Sequence, residues 1–495
     1  MREKKRREIL GKEKGFKPTS SGYIRIALGY PNTYSVGMSS LGFQWVWYLF
    51  NKRPDTICER FFYDTGNTTL ESGRKVILFD FIAFSISYEM DYRRVIKMIE
   101  QTGLPARADK RDERMPVFIA GGGFASINPE PLAPFFDVIV VGDGEGVIDA
   151  LLDRYHETKR LGKKEFLESI EDLKGIYIPS RTFPVYRGGE IESFEGREVE
   201  QNVSFSHPVP FTPVVTPLSH FSDMELIEVE RGCRFRCKFC TVGYVNAPFR
   251  EYDMEEVLDV VNHHRIGLIG ASLADYTKFD RIIERLKGRV THIGVSSVRA
   301  DRIKKHTMKS LVEMGLKTIT IAPEVASKKL MGVISKGITE EQIMGFVNKA
   351  NDSGIRRVKM YFLIGVPEED LSDIEMMAGL IMKVNRAFNG EVRVSVNVMI
   401  PKPFTAFERL SLITKVDYNH RVSLLKKLVK GIRIDIMPYR EAYTQTLFSR
   451  GDRRLFFDKN LDKDVFVYHM DSMNVLPWGF IKQNPSENQR GFSRG

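Results

Sequence analysis

The most chemically loaded stretch of the chain is ERGCRFRCKFCTVG, in which Cys233, Cys237 and Cys240 are spaced C-x3-C-x2-C. Only one other cysteine exists, Cys58 in PDTICERFFY. Three thiols on one short loop do not make a disulfide framework for a chain of 495 residues; clustered in this way they are metal ligands or catalytic groups. A tight loop can aim three thiolates at one inorganic cluster, as iron–sulfur ligation requires. Arg231, Arg234, Arg236 and Lys238 surround them, and cations so placed are expected to lower thiol pKa and offset the charge of a thiolate-bound cluster. Zinc is the competing metal. It wants four donors, commonly in two pairs, and a fourth would have to come from His263 or His264, well downstream in a stretch that reads as a helix. Cys58, standing alone, reads as a small buried apolar side chain.

The elements around the loop say where it sits. It follows the strand-like run LIEVE, and further such runs recur at RIGLIGAS, THIGVSSVR, TITIAPE, RVKMYFLIGVP and VRVSVNVMIPK. Between them lie helical stretches such as MEEVLDVVNHH, FDRIIERLKG and EEQIMGFVNKANDSG. The alternation predicts a partial or complete (β/α) barrel over residues 223–440, with the cysteines on its first βα loop, at the catalytic mouth. Residues 441–495 form a small appendage whose polar tip, NQRGFSRG, is expected to be disordered. Arg450, Arg453 and Arg454 within it are candidates for an anionic substrate or, more simply, salt-bridge partners.

Residues 22–175 show a second α/β pattern. The buried runs YIRIALGYP, FDFIAFSIS, VFIAGGG and DVIVVGD alternate with helical stretches, which predicts a parallel sheet with helices on both faces. In such a doubly wound domain the ligand site lies at the C-terminal ends of the strands. Those ends carry Gly37-Met38, Ser87-Tyr88, Gly122-Gly123 and Gly142 with Glu145. Residues 176–222, rich in Pro, Gly and Thr, read as a linker with short strands.

No membrane span is expected: no run approaches the ~18 apolar residues of one, and the charged N-terminus has no apolar signal core behind it. A cytoplasmic protein is expected. The net charge is +10, but residues 1–18 carry eight Lys/Arg against three Glu, so half of it belongs to a basic arm over 1–21. Such an arm is solvated, or contacts RNA.

With these residues on the page, C-x3-C-x2-C after the first strand of a (β/α) repeat resembles the radical S-adenosylmethionine (SAM) superfamily, and Phe239 matches the aromatic before the last cysteine of its motif. The resemblance implies a [4Fe–4S] cluster on Cys233, Cys237 and Cys240 whose open iron chelates SAM, and a 5′-deoxyadenosyl radical after one-electron reduction. It places Ser272 near the SAM amino group. Ser296, Ser297 and Arg299 resemble fourth-strand-region residues that hold the ribose and carboxylate. Glu324 and Lys336 are placed near SAM, and Gly365 and Pro367 at the adenine pocket.

Over roughly residues 22–460, the strings YPNTYSVGMSSLGFQ, FSISYEMDY, IAGGGFASINPEPLAPFFD, VGDGE, MIPKPFTAFE and SRGDRRL resemble an uncharacterised group of cobalamin-domain (class B) radical SAM proteins, related in the core to methylthiotransferases. This implies cobalamin in the first domain, near Tyr88, Gly122, Gly123 and Glu145. The D-x-H-x-x-G motif of many cobalamin domains is missing, and no histidine precedes His156. Cobalamin would bind without a lower histidine, or the domain has kept the fold and lost the cofactor. With cobalamin the implied reaction is methyl transfer to an unactivated carbon; without it, radical modification of RNA or protein. A non-catalytic RNA-binding iron–sulfur protein is the third reading. The substrate is open among peptide, RNA and small molecule, and an electron donor such as flavodoxin or ferredoxin is implied.

Overall fold

The computed structural model describes residues 3–18, 21–205 and 208–483. The polar tip NQRGFSRG lies outside the described residues. The chain divides into two compact units. The first holds the residues up to Glu225, Leu447–Phe466 and those from Ser472 on; the second holds Leu226–Thr446 and Val467–Asp471.

The first unit is built on six strands: β1 (Ile24–Tyr30), β2 (Thr56–Phe62), β3 (Phe81–Ser85), β4 (Val117–Gly121), β5 (Val138–Val140) and β6 (Ile176–Tyr177). Their order is β2-β1-β3-β4-β5-β6, parallel except for β6. Every residue of β2 is buried, including the charged Glu59 and Arg60. The order in which strands are added reverses between β1 and β3, the switch point where doubly wound folds bind ligands.

Four helices are used below: α1 (Glu3–Gly11), α2 (Leu41–Lys52), α3 (Tyr92–Gln101) and α4 (Val147–Thr158). Helix α2 starts on Ser40, whose Oγ accepts a hydrogen bond from Phe43 N–H, satisfying one of the free donors of the first turn. Its inner face ties to β2: Trp47 Nε1 donates to the Cys58 carbonyl, and Asn51 bonds both Cys58 N–H and C=O. Cys58 is fully buried, and burial raises its thiol pKa.

Two expectations about this unit are corrected. The basic segment is docked in its described part: Ile9 of α1 enters the core, Arg6 donates to the Leu70 and Glu71 carbonyls, and Lys14–Gly15 pairs with Val214–Val215. Residues 176–222 are integral to the unit, since Ile176–Tyr177 extends the sheet and Phe183–Arg187 forms a hairpin with Glu190–Glu195. Pro and Gly there mark turns between short strands.

The docking rests on Arg60, whose side chain is 1% exposed. It donates to Glu71 Oε1 at 2.6 Å and to Glu13 at 2.7 and 3.0 Å, and its guanidinium lies 4.3 Å from the Trp47 ring. Tyr34 OH also donates to Glu13. A second buried cation closes the other end of the chain onto this unit: Arg453 holds Glu130 at 2.8 and 2.9 Å and bonds Tyr177 OH. Arg454 pairs with Asp452. These arginines of the appendage are structural.

The second unit alternates strands and helices. Its strands are β7 (Glu225–Glu228), β8 (Arg265–Ile269), β9 (His292–Val295), β10 (Thr318–Glu324), β11 (Arg357–Ile364), β12 (Glu391–Val398) and β13 (Arg433–Ile436). They form sheets β7-β8-β9 and β10-β11-β12-β13, with a parallel bridge between Val298 and Ile321 joining the two. This is a partial (β/α) barrel, covered outside by α5 (Met254–Asp259), α6 (Phe279–Leu286), α7 (Lys305–Glu313), α8 (Glu340–Ser353), α9 (Leu371–Ala387) and α10 (Lys415–Leu428). Along β10, β11 and β12 buried residues such as Ile319, Val358 and Val394 alternate with half-buried polar ones such as Thr320, Lys359 and Ser395. One face packs on helices and the other lines the interior. Among the described residues no helix is long and apolar enough to cross a membrane.

Removing Arg60 would leave Glu13 and Glu71 buried without their cation. Arg60→Ala is expected to lower the unfolding free energy by about 3–5 kcal/mol in urea denaturation and to open the segment before residue 18 to limited proteolysis. Arg7→Ala, at an exposed ion pair, is expected to change neither; equal behaviour of the two variants would refute the role of Arg60.

Candidate active site

Parallel pairing delivers the C-terminal ends of β7 to β12 to one side of the second unit. The cysteine loop leaves β7 there. After β7 the chain makes a short two-residue pairing, Glu230–Arg231 with Arg250–Glu251, and this closes the base of the loop. Gly232, at φ +84°, enters it; a Cβ there would stand 2.5 Å from the Asn246 carbonyl oxygen. Cys240 N–H donates to the Cys237 carbonyl, Lys238 N–H to the Ile334 carbonyl, and Gly243 packs directly on the Phe235 carbonyl. The loop is thereby fixed by backbone contacts at both ends and in its middle.

Cys237 is buried, and Cys233 and Cys240 are half-buried. The charges of Cys237 and Cys240 raise the pKa of Cys233, and that of Cys240 raises the pKa of Cys237. Burial is the largest influence on all three: it pushes Cys233 up to about 11 and raises Cys237 and Cys240. The cations that oppose it are Lys336, at Cys237 and Cys240, and Arg299, at Cys237. This corrects the expectation from the sequence neighbours. Arg231 pairs with Glu228, Arg234 pairs with Glu251, and the Arg236 guanidinium lies 5.7 Å from the Tyr244 ring.

The remaining expected residues gather at the same strand ends. Arg299 stacks on Phe235 with its guanidinium 3.9 Å from the ring centroid, pairs with Asp301 and donates to the Lys336 carbonyl. Lys336 Nζ lies 2.9 Å from Glu324 Oε1 and 6.0 Å from the Phe239 ring. Glu324 adopts φ +70°, a left-handed conformation that a non-glycine residue takes at a cost. Burial raises its carboxyl pKa, opposed by Lys336. Ser296 Oγ donates to the Gly270 carbonyl, linking the ends of β9 and β8, with Ser297 half-buried next to it in the chain. Ser296, Ser297 and Arg299 follow the third strand of this unit, not the fourth. Gly365, at φ +80°, and Pro367 form the turn after β11, where Gly365 N–H donates to Glu369 Oε1.

Sequence reasoning passed over Glu230. Its Oε1 accepts from Ser272 N–H at 2.7 Å, and burial pushes its carboxyl up to about 7. Ser272 Oγ in turn donates to Asp275. Nothing local in ERGC marks that glutamate as buried, since the burial is made by Gly270 on another strand.

His264 immediately precedes β8, at the end of that strand remote from the mouth, and its Nδ1 lies 2.9 Å from the Arg289 carbonyl. Five residues of strand at about 3.3 Å each separate the two ends, so neither His264 nor its neighbour His263 completes a zinc site with the cysteines. Among the described residues no three His, Cys, Asp or Glu side chains converge at single-ion distances. A four-iron cluster spreads its thiolate ligands over separate corners and needs no such convergence. Three cysteines held on one pinned loop fit it.

In the first unit the strand ends divide into two groups. Ser87, Tyr88, Gly122 and Gly123 are exposed after β3 and β4. Gly122, at φ +109°, lies so close to the Ile86 carbonyl that a Cβ would stand 2.5 Å from its oxygen, so these two strand ends meet as bare backbone. Gly37, Met38 and Gly142 are not part of that surface. Gly37 packs on the Phe62 ring, Met38 is buried with its sulfur 3.2 Å from Arg60 Nη1, and Gly142 is covered by the backbone of Asn202. Asn202 Nδ2 also donates to the Asp143 and Glu145 carbonyls. Glu145 lines a polar cavity of about 790 Å³ with Lys52, Arg53, Asp149 and Ser204.

Comparison with known proteins bears on these features. The family model for the N-terminal part of radical SAM proteins matches residues 42–179, and that of the radical SAM superfamily matches residues 227–381. An uncharacterised protein of Methanocaldococcus jannaschii is 31% identical over 87% of this chain and 89% of its own length. The chain belongs to the radical SAM superfamily. An uncharacterised methyltransferase of Pyrococcus horikoshii is 23% identical over 71% of this chain and 75% of its own. The radical SAM methyltransferase TsrM of Kitasatospora setae superposes with a TM-score of 0.57 at 11% identity, covering 86% of this chain and 95% of that one. This radical SAM chain therefore shares the two-part fold of a cobalamin-binding-like domain followed by a barrel, and its family implies SAM and a [4Fe–4S] cluster.

The loop geometry generates a test. Gly243→Ala would drive a Cβ into the Phe235 carbonyl, and is expected to lower the iron bound per chain after anaerobic reconstitution. Wild-type iron content in that variant would show that the loop does not depend on this contact.

Proposed function

We propose that this radical SAM enzyme is a cobalamin-dependent methyltransferase that acts on an unactivated carbon, with its [4Fe–4S] cluster on Cys233, Cys237 and Cys240. The observation that carries the reading is the pairing, in one chain, of a pinned three-cysteine loop at a barrel mouth with a doubly wound unit that ends in exposed bare backbone beside its switch point. Gly122 and Gly123 present no side chains there, which would leave room for a macrocycle beside Ser87 and Tyr88. The P. horikoshii relative, described as a methyltransferase, and the TsrM-like fold support it.

In this reading Cys233, Cys237 and Cys240 would hold the cluster, which when bound would supply the single electron for cleaving SAM, while cobalamin would supply the methyl group. The chain's own residues bind and orient. Lys336 and Arg299 offset charge at Cys237, and Arg299 is held flat by Phe235 so that its position does not wander. Ser296, Ser297 and the Gly365–Pro367 turn line the strand ends against which SAM would lie. Ser87, Tyr88, Gly122 and Gly123 would face cobalamin. An electron donor such as flavodoxin or ferredoxin would serve the cluster, in the cytoplasm; the substrate would be a peptide, an RNA or a small molecule.

One observation favours a cobalamin-free radical reaction instead. His156, the first histidine, sits on α4 at 57% side-chain exposure beside Asp55, next to the start of β2 and away from the strand ends, so it provides no lower ligand.

Anaerobic reconstitution with iron, sulfide and hydroxocobalamin, followed by metal analysis, separates the two. About four irons and one cobalt per chain would support the methyltransferase; four irons without cobalt would favour the alternative. The Cys233/Cys237/Cys240→Ala triple variant is expected to lose the iron chromophore and, with dithionite and SAM, to release no 5′-deoxyadenosine. Full iron retention would overturn the cluster assignment.

A further inference from the structure

Glu230 lies three residues before Cys233, on the short strand that closes the cysteine loop. The residue is 2% exposed. One carboxylate oxygen, Oε1, is satisfied by Ser272 N–H at 2.7 Å; the other, Oε2, is buried and has no hydrogen-bond partner among the described residues. Buried polar atoms are almost always paired, so an orphaned carboxylate oxygen calls for an explanation. No neighbour supplies one. The charges of Glu251 and Asp275 both act against its ionisation, and Arg234, the cation that favours it, lies 3.0 Å from Glu251 in an ion pair of its own.

The room for this carboxylate is built in. A Cβ on Gly270 would stand 2.5 Å from Glu230 Cγ and 2.7 Å from Oε1, so the end of β8 is kept bare where the side chain passes. The result is a buried carboxylate among acidic neighbours, with one acceptor oxygen unpartnered, directly before the cysteine loop. Its chemical complement is a cation that carries N–H donors.

We infer that Glu230 Oε2 receives the α-ammonium group of SAM, so that the strand bearing the cysteines also orients the methionyl end of the molecule. This rests on the reading of the loop as the cluster and SAM site. Ser272, which the sequence suggested for that place, is already committed: its Oγ donates to Asp275 and its N–H to Glu230. Its part is to hold Glu230, which makes Ser272 a positioning residue.

The test measures binding, not turnover. Cluster-reconstituted wild-type, Glu230→Gln and Gly270→Ala chains are titrated by equilibrium dialysis with SAM and with its desamino analogue. Both variants are expected to weaken SAM by about tenfold or more, the worth of a hydrogen bond to a charged group, while shifting the analogue by no more than about twofold. Gly270→Ala reaches the same carboxylate from the neighbouring strand, and decides alone if Glu230→Gln fails to take up iron. Unchanged SAM affinity at wild-type iron content would overturn the inference, as would an equal loss for both ligands. A wild-type chain that holds its irons and binds no SAM would bring down the underlying reading, and the inference with it.

Discussion

Everything at the candidate site depends on strands that run the same way. In a parallel sheet each strand must be followed by a crossover before the next can pair, and the crossover here is a helix laid on the outer face. The apolar residues of β10, β11 and β12 are spent on that contact, so the alternate residues are free to be polar. The C-terminal loops are then able to carry polar and reactive side chains. The cysteine loop, the Arg299 turn, Glu324 and the Gly365 turn come from separate stretches of chain, and are neighbours because one direction of pairing brings their strands to a common edge.

Within that frame, position is set by charges taken out of water in small closed groups. Arg60 with Glu13 and Glu71, Arg453 with Glu130, and Lys336 with Glu324 each place a cation against a carboxylate where neither has free access to solvent. Such groups are poor sources of net stability but severe about geometry, because either partner left alone is heavily penalised. They fix, respectively, the start of the chain, its returning end, and the wall beside the thiols. Glu230 is the exception, with the carboxylate in place and half of its partners missing.

The sequence made the alternation of strands and helices in both units legible, since VFIAG is apolar without break and IRIALGY is interrupted only by Arg25, while their helices are not so. The cysteine spacing was legible for the same local reason. What escaped was nonlocal. Arg231, Arg234 and Arg236 looked like the thiols' counter-charges because they are adjacent in sequence, yet their side chains turn elsewhere and the work falls to Arg299 and Lys336, far along the chain. Gly37, Met38 and Gly142 carried the composition of a ligand mouth, but what covers them (Phe62, Arg60 and Asn202) is known only once the sheet is assembled. The stretch 176–222 read as a linker because short strands paired to distant partners leave no periodic trace.

The bond between Arg453 and Glu130 has a consequence for how the protein is made. Chain is synthesised from its N-terminus, and domains generally fold as units in that order. Here the first unit cannot complete its set of buried pairs when its sheet emerges, because the cation that neutralises Glu130 lies beyond the whole barrel. Tyr177 and Glu130 wait, partly unsatisfied, until the second unit has been synthesised and Leu447–Phe466 returns. The first unit to begin is thus the last to be finished, and a ribosome that stalls within the barrel leaves behind a nearly folded domain whose buried Glu130 has Tyr177 but no cation.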